Sequence, residues 1–177
     1  MQAESLKQFV IASAAISGFA TIIQLIFITI FYSGVWIFGP LNDIAFTTQL
    51  VFTLPVVIFL SSRVRHNKGV SARFALPLGL LGLLAAISLQ LLLIFGVLSF
   101  FEMIGPLMGS MVIIVLWFAL IERAGRHDLI IPRGRALAIL AGLSFGYPIW
   151  AFKLIRKVEN AETMDGMEDS AHAEVIP

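Results

Sequence analysis

The chain has 177 residues, of which 59% are hydrophobic and 13% are charged, against roughly 25% charged for an ordinary soluble domain. Its mean hydropathy of +0.95 excludes a water-soluble monomer, because a globule of this size still exposes about 30% of its unfolded surface and needs polar side chains to cover it. The net charge is only +1, and the lack of cysteine excludes disulfides, thiolate nucleophiles, cysteine-ligated iron–sulfur clusters and other cysteine-based metal sites.

Five apolar stretches follow in chain order, and they predict an all-α, polytopic integral membrane helical bundle. The first, 9–32, is long enough to cross a hydrocarbon core of about 30 Å at about 1.5 Å per residue. Glu4 stands beside Lys7 ahead of it, and the stretch exceeds a signal-peptide core, so it reads as a retained span. The second covers 44–60, with Asn42 and Asp43 as expected caps after the Gly39-Pro40 turn. Within it, Pro55 deprives the Val51 carbonyl of its helical donor. The third, 74–100, is rich in leucine and carries Gly79, Gly82 and Gly96. The fourth is 104–121. The fifth, 136–152, holds Gly142, Gly146 and Pro148. Residues 158–177 form an acidic tail without periodicity, expected to be disordered and to lie on either the cytoplasmic or the external side. The bundle itself is expected to end at 157.

Charge segregates along the chain. The twelve Lys and Arg residues fall at 7, 63–73, 123–135 and 153–157, and six of the eleven acids lie in the last nineteen residues. With five spans, one face collects nine basic residues, and the positive-inside rule makes that face and the N-terminus cytoplasmic in a multi-pass cell-membrane protein. Lys153, Arg156 and Lys157 then stand on the opposite face, snorkelling at a helix end. The alternative is four spans plus a C-terminal re-entrant or interfacial segment, which puts all twelve on one side.

The scarce uncharged polar groups mark one face on each of three helices. Ser13, Ser17 and Gln24 share a side of the first, with Thr21 at its edge. Asn42, Gln49 and Thr53 share a side of the second. Gly79, Gly82, Ala86 and Gln90 form a small-residue stripe on the third that ends in an amide. Counting from the helix ends places Gln24, Gln49 and Gln90 near one layer, between the outer interface and the midplane. They are expected either to bond across helices as glue, or to line, with Thr53, a polar cup whose mouth carries Asp43 or Glu102. Asp43 also suits a helix N-terminus on electrostatic grounds, and Glu102 an exposed loop.

Other chemistry is sparse. His66, His127 and His172 lie outside the spans, which argues against a membrane haem or a metal site, so no cofactor is expected. Arg126, His127, Arg133 and Arg135 form a candidate lipid-headgroup contact, with topogenic charge as the simpler account. Nucleic acid is discounted, because the basic loops lack interleaved aromatics. Trp36, Trp117, Tyr147 and Trp150 read as interfacial anchors. The leading functional expectation is a non-enzymatic accessory or structural protein acting through helix–helix contacts, whose partners are membrane lipids and a homo-oligomer or larger complex. The alternative is a small carrier or ligand-binding protein using the amide layer.

Overall fold

A computed structural model describes residues 2–65, 69–125, 130–132 and 146–173. They form five helices: α1 (Gln2–Tyr32), α2 (Phe38–Val64), α3 (Val70–Ile94), α4 (Phe100–Ala124) and α5 (Tyr147–Ala173). No strand occurs among the described residues. Helices α1 to α4 are each long and apolar enough to cross a membrane, and only a helix or a closed barrel satisfies every backbone polar group in hydrocarbon. Of the fifth expected span, 136–152, residues 136–145 lie outside the described residues. Helix α5 takes in 146–152 only from Tyr147 and runs on through 158–173, where the sequence carries no helical periodicity.

The helix ends differ from the sequence expectation for identifiable reasons. Helix α2 starts at Phe38, so Gly39-Pro40 forms its first turn, where a proline forfeits no intrahelical bond. Asn42 and Asp43 therefore stand in the second turn and are not caps. Helix α3 stops at Ile94 because Gly96 adopts φ +69°. The Gly96 amide donates to Leu93 O (2.9 Å) and the Val97 amide to Leu92 O (2.8 Å), which is the Schellman termination that a left-handed glycine permits. Gly34, at φ +103°, ends α1 the same way, with its amide donating to Phe31 O and that of Val35 to Ile30 O.

The first four helices pack in chain order, each against the next, and α5 lies on α1. The reach from α5 to α4 is made by rings: Trp150 meets Phe118 edge-on with centroids 4.9 Å apart, and Phe118 in turn meets Trp117. The aromatic core therefore lies where α2, α4 and α5 converge. Trp117, Tyr147 and Trp150 are at most 2% exposed, so they are core residues and not interfacial anchors. Trp36, by contrast, is exposed on the α1–α2 loop.

The small-residue stripe of α3 faces inward, with Gly79, Gly82, Ala86 and Gln90 all buried. A Cβ on Gly79 would stand 2.6 Å from Val57 Cγ1 and 2.7 Å from the Trp117 ring, and one on Gly82 would stand 2.9 Å from Ile114 Cγ1. The two glycines thus let α3 approach α2 and α4 closely. Gly79→Ala is expected to cost about 1–3 kcal/mol by overpacking, read as a lower melting temperature in detergent. Gly105→Ala, whose new Cβ would meet nothing within 4 Å, is expected to leave it unchanged.

Candidate functional site

Inside the bundle, polar side chains meet at two places. The first is a junction of three hydroxyls from three helices. Ser17 on α1 contacts the Tyr147 hydroxyl at 2.8 Å, and Thr53 on α2 contacts it at 2.9 Å. Ser17 also reaches the Ala14 carbonyl (3.1 Å), and Thr53 the Gln49 carbonyl (2.7 Å). Three protons serve these four contacts, so one hydrogen bond is shared and every hydroxyl is engaged. The junction is neutral and fully enclosed, as burial in a low-dielectric interior demands. The second is a single bond, Trp117 Nε1 donating to Ser61 Oγ at 3.1 Å, which ties α4 to α2.

The junction fixes where α5 begins. Ser17 is ten residues beyond Lys7 and Thr53 eleven before Val64, so each sits roughly 15–17 Å from the basic end of its helix. That is about half of a 30 Å hydrocarbon core. Ten residues further along α5, the Lys157 ammonium donates to Ile131 O at 3.0 Å. Ile131 in turn packs against Gly125, just past the end of α4. Helix α5 thus runs from the level of Ser17 and Thr53 to that of the end of α4. Gly18 faces Ala151 and Phe152 along the way.

The residues expected to form a cup have separate fates. Thr53 belongs to the hydroxyl junction. Gln49 and Gln90 are buried, at 4% and 2% exposure, and Gln24 is half-buried. The Oε1 atoms of Gln24 and Gln90 are enclosed with no hydrogen-bond partner. Asp43 is half-buried on α2 and accepts from Asn42 Nδ2 at a long 3.4 Å. Glu102 does not stand at the mouth of a cup. It is the third residue of α4, and its Oε2 accepts from the Ser99 amide (2.8 Å) and the Ser99 hydroxyl (2.7 Å), so it caps the helix. A Ser-x-x-Glu pattern in the sequence, Ser99 to Glu102, carries that signal. Arg126, His127, Arg133 and Arg135 lie outside the described residues.

Among the described residues, two hollows are lined by residues other than the amides. One, of about 340 Å³, is an apolar groove on α1 lined by Ile22, Leu25, Ile26, Thr29 and Ile30. The other, of about 450 Å³, lies where α2 ends and α3 begins. No group of three or more His, Asp or Glu side chains gathers among the described residues. No protein family, curated protein or solved structure matches the chain.

Sequence reasoning missed Tyr147. Its position near an expected interface or helix end suggests a belt residue, and only the approach of α5 to Ser17 and Thr53 identifies it as a buried link. Tyr147→Phe is expected to cost about 1 kcal/mol, and the double-mutant cycle with Thr53→Val to give a coupling of about 0.5–1.5 kcal/mol, both from reversible unfolding in detergent. Gln90→Met removes a buried amide oxygen that has no partner and is expected to raise the melting temperature. A fall would mean that the amide holds a ligand or an ordered water.

Proposed function

We propose that this chain is a non-enzymatic multi-pass membrane protein that acts through lateral helix–helix contact, as an accessory or structural subunit of a homo-oligomer or larger complex. The observation that carries the reading is the outward side of α4. Gly105, Met108, Gly109, Val112 and Leu116 are all exposed there, at spacings that place them along one face. A Cβ on Gly105 or Gly109 would meet nothing within 4 Å, whereas Gly79 and Gly82 are used for packing inside the chain. Two glycines four residues apart on a lipid-facing helix allow a second helix to approach closely, and lipid tails gain nothing comparable from the notch. Of the two carboxylates beside the amide layer, Glu102 serves as a cap and Asp43 accepts from Asn42.

A second reading, a small carrier or ligand-binding protein, is favoured by the enclosed and unpartnered amide oxygens of Gln24 and Gln90. A carbonyl acceptor held in the apolar layer without a donor is a place where a ligand with an N–H or O–H group would be stabilised.

We further infer four crossings in the cell membrane, with both ends of the chain on the cytoplasmic side. The support is that Arg63 and Arg65 at the end of α2, Arg73 at the start of α3, Arg123 at the end of α4 and Lys157 beside Ile131 gather at one level. The positive-inside rule assigns such a face to the cytoplasm.

The lateral-contact reading is tested by gentle extraction and native mass spectrometry. The wild-type chain is expected in assemblies heavier than its 19.4 kDa monomer, and Gly109→Leu to shift it to monomer without lowering its melting temperature. A wild-type protein that is monomeric and alone, or a Gly109→Leu variant that assembles unchanged, would sink the reading.

A further inference from the structure

The larger cavity, about 450 Å³, is lined by Ser61, Arg65, Ala72, Arg73, Leu76 and Pro77. Its position and its chemistry are unlike those of the amide layer. It opens where α2 gives way to α3, just past the apolar part of both helices, which is the depth of phospholipid phosphates. Arg65 and Arg73 are both exposed and both line it. No hydrogen bond or ion pair engages either guanidinium among the described residues, so their charge is available to an incoming anion. Ser61 is 1% exposed and accepts from Trp117 Nε1, which leaves its own hydroxyl proton to donate from the cavity floor. The first turn of α3 contributes Ala72 and Arg73 to the same wall, and the Ala72 amide there is already engaged, donating to Gly69 O at 3.1 Å. The rest of the wall, Ala72, Leu76 and Pro77, is apolar. Pro77 has no N–H to give the carbonyl of Arg73, four residues before it, so the wall also holds a main-chain acceptor without its helical donor.

We propose that this cavity binds a phosphate group, presented by an anionic phospholipid whose headgroup also carries hydroxyls. The forked guanidinium groups take the phosphate oxygens, Ser61 donates to the same group, and a headgroup hydroxyl answers the Arg73 carbonyl. The apolar wall receives the start of the acyl region. A zwitterionic lipid places a trimethylammonium group against two arginines and is disfavoured.

The test uses the full-length protein in zwitterionic detergent, titrated with phosphatidylglycerol, with phosphatidylcholine and with inorganic phosphate, and read by native mass spectrometry. Phosphatidylglycerol is expected to bind in preference to phosphatidylcholine. Arg65→Gln/Arg73→Gln is expected to weaken it at least about tenfold, in line with the value of two surface cations near an anionic lipid. Arg123→Gln/Arg156→Gln, which removes the same charge elsewhere on the chain, is expected to change it little. Ala72→Leu fills the cavity and leaves both arginines in place, and it too is expected to reduce binding, which separates a built site from diffuse attraction. If millimolar inorganic phosphate displaces the lipid and binds alone with the same arginine dependence, the phosphate site stands with a soluble source; failure to displace it identifies the lipid. Equal losses in the two double variants, or equal binding of the two lipids, would overturn the proposal.

Discussion

Hydrocarbon offers no hydrogen bonds, and the rest of this structure follows from how the chain answers that. The backbone does so by helix formation, and the side chains by meeting one another. The Tyr147 hydroxyl is the central case: placed at mid-depth, it is acceptable only because Ser17 and Thr53 surround it with partners. Those partners come from two different helices, so satisfying one hydroxyl also locates the start of α5 against α1 and α2. The aromatic rings of Tyr147 and Trp150 then fill the space toward Phe118 on α4. A polar requirement and a packing requirement are met by the same turn of helix.

That placement has a consequence for topology. With four crossings, as proposed, a helix that begins at the level of Ser17 and Thr53 and reaches Ile131 by Lys157 comes to the same face as the end of α4. The basic cluster at 153–157, which five crossings would leave stranded on the opposite side, then joins the other basic residues. Electrostatics and hydrogen bonding agree on one arrangement, and such consistency between levels is what a well-specified fold requires. The arginine-lined cavity lies between α2 and α3, whereas the two glycines of α4 meet no other part of the described chain. Two distinct contacts, one with headgroups and one with another helix, are compatible on one small bundle.

Much of this was legible in the amino-acid pattern. The apolar stretches located four helices, with ends that differ by up to seven residues, and the polar face of α1 and the small-residue stripe of α3 both turn inward as their periodicity suggests. The boundaries were less legible. Apolar length marks where a helix is in lipid, but the helix itself continues until a glycine or a cap stops it, as Gly96 and Ser99 do. The candidate site was legible only in part. Gln24, Gln49 and Gln90 were placed near one layer by counting, yet counting cannot say which side chains find partners. Tyr147 and Trp117 read as interfacial residues in the sequence because position along the chain reports distance along a helix and not which neighbours enclose it.

If the Tyr147 junction holds α5 against α1 and α2, the helix leaves the bilayer on the face where α4 ends. The chain has no native cysteine, so single cysteines can be introduced cleanly at Glu4 and at Asn160 and labelled with a membrane-impermeant maleimide in sealed vesicles of known orientation. Both positions are expected to be labelled from the same, cytoplasmic side. Labelling of the two from opposite sides would contradict the account.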